Sequence, residues 1–163
     1  MVNYKMRSGI GIDIHKLSNK KAMIIGGVNI PYHLGIDGHS DGDVLLHAIV
    51  DALLGSLALG DIGTHFPSND IQWKDANSQL FLEHAFSLIQ KKGYSVINVD
   101  SVIMLQKPSI APHILEMRKN ISQILSIDLD QISVKATTTD SLGYIGKGEG
   151  IAASAVVLIS NGN

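Results

Sequence analysis

The 163 residues, 45% of them hydrophobic, suffice to bury one core without covalent staples, so a single domain spanning 1–163 is expected. Cysteine is absent, which excludes disulfides and thiolate metal sites and leaves histidine, carboxylate and water as ligands for any metal. With 13 basic against 15 acidic side chains, a net charge of −2 and Arg7 and Arg118 as the sole arginines, the chain has no basic stripe for nucleic acid, and an anionic ligand has to be met by other means.

No apolar run approaches the roughly 18 residues that cross a bilayer, and the N-terminus lacks the order of a signal peptide, so a cytoplasmic protein without membrane contact is expected. Residues near 7 to 14 read as a strand, and "AMIIGGVNIPY" as a hairpin in which Gly26 and Gly27 take the positive φ of a tight turn. "YHLGIDGHSDGD" reads as loop. Asp43 is placed to cap a helix running to about Leu57, with Val44, Leu45, Ala48, Ile49, Ala52 and Leu53 as its apolar face. The loop "GDIGTHFPSND" follows, then a helix near 75 to 92 that buries Phe81, Leu82, Ala85, Leu88 and Ile89 and ends at Gly93.

A strand is expected over about 94 to 105, and Pro112 suits the first turn of a helix continued by Ile114, Met117, Ile121, Ile124 and Leu125. "QISVKA" alternates as a half-buried strand, and glycine and threonine mark a loop near 137 to 150. The last strand, "IAASAVVLIS", is apolar on both faces, as it would be if one met the helices and the other a neighbouring subunit. This order predicts an α+β fold of the α/β sandwich type, a mixed sheet with helices on one face plus a small hairpin.

Residues at i and i+2 of a strand share a face, so Asp13 and His15 can converge on one ion, and His47, one turn inside the first helix, is the third candidate ligand. Its i−4 and i+4 neighbours, Asp43 and Asp51, are both placed to fix its tautomer. Two imidazoles and a carboxylate leave a tetrahedral position open for substrate, and non-haem iron is also compatible. Spacing alone favours a plainer reading, with a turn-capping Asp13, a strand-end His15 and a hydrogen-bonded, partly buried His47.

"GHSDGD" sets an imidazole, a hydroxyl and two glycines before a helix N-terminus, and "ATTTDSLGYIGKGEG" sets hydroxyls, amides and Asp140 where phosphates and Mg²⁺ could be held. No Ser-His-Asp elbow, Walker loop or dinucleotide fingerprint appears. Scarce aromatics argue against glycoside hydrolysis.

Taken together, "GIDIH", "IGGVNIPY", "HSDGDVLLHAIVDALLGSLALGDIG", "FPSND" and "KATTTDSLGYIGKGEGIAASA" resemble the 2-C-methyl-D-erythritol 2,4-cyclodiphosphate synthase family of the non-mevalonate isoprenoid pathway, over essentially the whole chain. The resemblance implies a phosphorus-oxygen lyase that closes a cyclic diphosphate and releases CMP. It implies a homotrimer with its sheets facing inward and active sites between subunits, holding one Zn²⁺ and one Mg²⁺ or Mn²⁺ each.

By matching motif positions, Asp13, His15 and His47 are the zinc ligands, Asp140 binds the second metal, and His39 and Thr138 stabilise the transition state. Substrate contacts are implied for Asp13, His15, His39 and Ser40, for Asp61, Ile62 and Gly63, and for Phe66, Pro67, Ser68, Asn69 and Asp70. The cytidine end corresponds to Leu105, Gln106, Lys107, Pro108, Ser109, Ile110 and Ala111, with Thr137, Thr138, Thr139, Asp140, Tyr144 and Lys147. The chain departs from the family where Asp140 replaces the commoner glutamate, Lys147 the commoner arginine, and "KPS" an "APK"-like stretch, which loosens the transfer at the cytidine pocket and at Lys147. A metal-dependent phosphodiesterase and a noncatalytic metal- or nucleotide-binding module are the alternatives.

Overall fold

The computed structural model describes residues 5–162. Strand β1 (Met6–Ser18) is the expected first strand, longer than its apolar pattern suggests, and its alternation sets the rest. Gly9, Gly11, Asp13, His15 and Leu17 share one face; Ile10, Ile12 and Ile14 share the other.

Strands β2 (Met23–Ile25) and β3 (Val28–Ile30) form the expected hairpin, with φ of 60° at Gly26 and 73° at Gly27. Part of the supposed loop after it is a short edge strand, β4 (Gly35–Asp37), paired antiparallel to the end of β1. Three residues between turn formers are too few to show a period. A Cβ on Gly35 would lie 1.8 Å from the carbonyl oxygen of Lys21, so only glycine starts this strand.

Helix α1 (Val44–Ser56) follows its Asp43 cap and is buried on nearly every side, between the sheet and α3 (Ser78–Lys91). The loop between them holds one helical turn, α2 (Ile62–His65), capped by Asp61. Helix α3 starts later than its pattern suggests because Asp75 stands at φ 56°, outside the right-handed region, and Asn77 is the cap. Its inner residues Phe81, Leu82, Ala85 and Ile89 are buried while Leu88 is only partly so, and Gly93 takes φ 76° just beyond it.

Strand β5 (Ser95–Met104) and helix α4 (Ile114–Leu125) follow, Pro112 lying in a separate 3-10 turn ahead of α4. Strand β6 (Ile132–Thr137), the short helix α5 (Gly143–Gly146) and strand β7 (Gly150–Ser160) complete the chain. The sheet order is β4-β1-β7-β5-β6, antiparallel except for the parallel β5–β6 pair, whose crossover carries α4. The sheet is therefore mixed, as expected. Among the described residues no helix is long and apolar enough to cross a membrane.

The sheet face away from the helices is apolar and uncovered. Met6, Ile10, Ile12 and Ile14 of β1 are 68%, 65%, 58% and 54% exposed. Ile10 sits directly opposite Val156 of β7, so the patch crosses both strands.

Asp43 joins the hairpin to the helix. Its carboxylate accepts the N–H groups of Gly26 (2.9 Å), Gly27 (2.7 Å), Leu45 (3.1 Å) and Leu46 (3.0 Å). Complete burial pushes this carboxyl up, to about 6, against the pull of those donors. Replacing Asp43 by alanine removes a helix cap, worth about 1 kcal/mol, and orphans two further amides at about 1–3 kcal/mol each. Urea unfolding of Asp43→Ala should therefore show a loss of roughly 3 kcal/mol or more; a loss below about 1 kcal/mol would mean that the hairpin is held by other contacts.

Candidate active site and metal centre

Helix α1 lies directly on the backbone of β1. A Cβ on Gly9 would stand 1.9 Å from the Ala52 carbonyl oxygen, and one on Gly11 2.0 Å from that of Ala48. Helix and strand run in opposite senses here, so the next step along β1 meets the first turn of α1, and His47 arrives over Asp13.

The three candidate ligands meet. Asp13 Oδ2 is 2.9 Å from His15 Nε2 and 2.9 Å from His47 Nδ1, and the ligand atoms lie within 4.8 Å of one another. Burial pushes the Asp13 carboxyl up, but the hydrogen bonds and charges of the two imidazoles outweigh it and hold the group well below the usual carboxylate range. The same contact with Asp13 raises His15. Two imidazole nitrogens and a carboxylate oxygen converging on one point are the donor set that zinc takes, with room for a further ligand.

Each ring is held from behind. His15 Nδ1 lies 2.9 Å from the carbonyl oxygen of Asp37, which can only accept, so Nδ1 carries the proton and Nε2 faces the cluster. The edge strand missed in the sequence supplies that carbonyl. His47 Nε2 is 2.8 Å from Ser78 Oγ and 3.2 Å from Ser40 Oγ. Neither Asp43 nor Asp51 supports it, contrary to their helical spacing. Asp43 is committed to four amides, and Asp51 accepts the N–H of Ile62 at 2.7 Å, which ties the α2 loop to α1. Ser78 is 31 positions from His47, and no local pattern links them.

Asp13, His15 and His47 open on a cavity of about 210 Å³ shared with His39, Ser40, Ile62, Gly63, Phe66 and Ser68. Trp73 and Phe81, unforeseen in the sequence, complete its wall. Phe66 stacks on Phe81 with centroids 4.2 Å apart, and Trp73 meets Phe66 edge-on at 5.0 Å. The loop bearing His39 is stitched in place: Lys21 Nζ donates to the carbonyls of Gly38 (2.5 Å) and Ser40 (2.7 Å) and to Asp75 (2.8 Å), while the Asp75 N–H donates to the His39 carbonyl (2.9 Å).

A second groove, about 660 Å³, is lined by Leu105, Gln106, Lys107, Pro108, Ser109, Ile110 and Ala111 with Thr137, Thr138 and the unforeseen Tyr32. Tyr32, Gln106 and Lys107 also border a third hollow that contains Lys147. Asp140 is exposed beyond the end of β6 at φ 50°, near the Thr138 hydroxyl (3.4 Å). Thr137, Met104, Ala152 and Ile14 lie in one row across the sheet, so the end of β6 and the β1 strand that bears Asp13 and His15 are three strand spacings apart, about 14 Å. Asp140 is not among the groups that converge with Asp13, His15 and His47, and Thr138 lines the second groove rather than their cavity.

Other residues implied as substrate contacts have local tasks. Asp61 accepts the Thr64 N–H (2.8 Å), Asp70 that of Gln72 (3.1 Å), and the Thr139 hydroxyl donates to the Leu142 carbonyl (2.7 Å). Pro67 and Asn69 lie in the segment between α2 and the 3-10 turn at Ile71–Trp73. Tyr144 borders a separate hollow with Ile14, His15, Lys16 and Glu149, beside the open sheet face.

Comparison with known proteins covers nearly the whole chain. The YgbB family model matches residues 6–160. A relative from Chloroherpeton thalassium named 2-C-methyl-D-erythritol 2,4-cyclodiphosphate synthase is 58% identical over 154 residues, 94% of this chain and 98% of the relative. A solved structure described as the IspF CDP complex of Plasmodium falciparum superposes with a TM-score of 0.86 at 42% identity, covering 97% of each chain. The bifunctional IspDF of Campylobacter jejuni gives a TM-score of 0.93 at 38% identity over 97% of this chain, which spans 43% of that longer one. On the strength of that match and of near full-length likeness to its curated members, the chain belongs to the YgbB family of 2-C-methyl-D-erythritol 2,4-cyclodiphosphate synthases.

Proposed function

We propose that the chain converts 4-diphosphocytidyl-2-C-methyl-D-erythritol 2-phosphate to 2-C-methyl-D-erythritol 2,4-cyclodiphosphate with release of CMP, as a metal-dependent phosphorus-oxygen lyase of isoprenoid precursor synthesis. The observation that carries this reading is the convergence of Asp13, His15 and His47 on the wall of a cavity that also contains His39 and Ser40. The names of the relatives support the reaction, the CDP complex of the Plasmodium falciparum protein supports binding of a cytidine diphosphate, and the second groove is the place assigned to it by the implied contacts that line it.

In this reaction an oxygen of the 2-phosphate bonds to the β-phosphorus, and the bond from that phosphorus to the bridging oxygen breaks, leaving the oxygen on CMP. Substrate supplies both nucleophile and leaving group, so the protein needs neither a nucleophile nor water. The obstacle is repulsion between anions, about 1 kcal/mol for unit charges 4 Å apart in water and about 4 kcal/mol near a protein surface. Asp13 Oδ2, His15 Nε2 and His47 Nδ1 would hold Zn²⁺, with Asp140 taking Mg²⁺ or Mn²⁺. When bound, these cations offset phosphoryl charge at the attacked and departing ends.

The remaining groups position the substrate. The His39 ring and Ser40 hydroxyl are donors for phosphoryl oxygens, on a loop fixed by Lys21 and Asp75. Phe66, Trp73 and Phe81 give an apolar wall that fits a branched sugar-alcohol chain and excludes water from the reacting phosphates. The cytidine groove and Lys147 would hold the departing end, and the bent conformer becomes the bound one. The separation of the second groove from the cavity of Asp13, His15 and His47, with the uncovered apolar face, supports a homotrimer whose sites draw on two neighbours.

Phosphorus NMR of the protein with its diphosphocytidyl substrate and both cations should show a cyclic diphosphate and CMP. An open-chain phosphate would identify a phosphodiesterase, and binding without turnover a binding module. His47→Ala should lose its bound zinc by metal analysis and at least about 100-fold in rate while its far-UV spectrum is unchanged; stoichiometric zinc in the variant would refute the ligand set. Light scattering should give a trimer for the native chain and a smaller species for Ile12→Glu, and a native monomer would overturn the assembly.

A further inference from the structure

The geometry points to Asp41 and Ser78 as positioning residues that decide which nitrogen of His47 faces the ion, an inference that rests on Asp13, His15 and His47 being the ligand set. Ser78 is fully buried at the start of α3. Its backbone N–H donates to Asp41 Oδ2 at 3.0 Å, and its hydroxyl donates to Asp41 Oδ1. A hydroxyl has one hydrogen and a carboxylate has none to give, so that hydrogen is committed to Asp41. Ser78 Oγ can then only accept from His47 Nε2, 2.8 Å away. Nε2 therefore carries a proton, and Nδ1, which donates to Asp13 Oδ2 at 2.9 Å in this structure, is the nitrogen left to offer its lone pair to an ion that displaces that hydrogen.

Starting the helix accounts for the Ser78 N–H on Asp41 Oδ2 but not for the hydroxyl on Oδ1. Asn77 caps α3, accepting the Gln79 N–H at 2.9 Å. Asp41 is itself anchored, its N–H donating to the Ala76 carbonyl at 3.1 Å. The loop that bears His39 and the start of α3 are thus joined at the point where they grip His47. Removing that acceptor leaves Nε2 only the longer contact to Ser40 Oγ at 3.2 Å, whose hydroxyl can donate as well as accept, so the ring can exchange tautomers and the ion meets a mixture of competent and incompetent rings. Outer-sphere partners of this kind typically contribute 10–100-fold in metal affinity.

The test measures zinc dissociation constants by competition with a chelator for the native chain, Ser78→Ala and Asp41→Asn. It also records long-range proton–nitrogen NMR of the His47 ring in the zinc-loaded native chain. Expected are one zinc per native chain, affinity about 10–100-fold lower in both variants, and a native ring protonated on Nε2 with the metal on Nδ1. Far-UV spectra separate lost affinity from lost fold, and if Ser78→Ala does not fold, Asp41→Asn and the native ring spectrum decide. A ring protonated on Nδ1, or a folded variant whose zinc constant is within twofold of native, overturns the inference while leaving the ligand set intact. A native chain that binds no zinc overturns the ligand set and this inference with it.

Discussion

The structure depends on one close approach, the backbone of α1 lying on the backbone of β1 at Gly9 and Gly11. Any side chain there would meet the carbonyl oxygens of Ala52 and Ala48 at about 2 Å, so the helix would have to lift. Lifted, it would carry His47 away from Asp13, and an ion cannot be held by a ligand an ångström or more out of place. The two glycines therefore act on the metal centre without touching it, through the helix they admit. The wholly buried face of α1, packed between sheet and α3, keeps that approach closed.

Around this contact the polar groups are shared out with little duplication. Asp43 fixes the helix start and the hairpin, Asp51 holds the α2 loop, Lys21 and Asp75 hold the His39 loop, and Asp41 holds Ser78. None of these is a candidate metal ligand, yet each holds a segment that carries or supports a residue lining the cavity. This explains how a nearly neutral chain with two arginines is suited to a polyanionic substrate. In the proposed reaction the charge it needs would come from cations, and the protein's part is to hold ligands and donors in place, which short buried hydrogen bonds do better than long flexible side chains.

The open face of β1 and β7 gives the opposite message. Ile10, Ile12, Ile14 and Val156 form an apolar patch exposed to water, and the groove lined by Leu105, Ile110, Thr137 and Thr138 is separate from the cavity of the candidate ligands. The proposed assembly would answer both facts at once, by covering the patch and by bringing a neighbour's groove to each candidate cluster.

The sequence by itself determined what local periodicity and local chemistry can carry. The shared face of Asp13 and His15, the Asp43 cap, the hairpin glycines, the amphipathic α3 and α4 and the doubly apolar last strand follow from neighbours a few positions apart, whose geometry is set by the pleat or the helical turn. Its family resemblance also picked out His47. What sequence could not determine was set by contacts between distant segments: the edge strand at Gly35–Asp37, too short to show a period; the Ser78 and Ser40 partners of His47, in place of the helical neighbours Asp43 and Asp51; and the place of Trp73 and Phe81 in the wall of the first cavity and of Tyr32 in the second groove. A hydrogen-bond partner across 31 residues leaves no periodic trace, because its position is fixed only when the core that joins the two segments has closed.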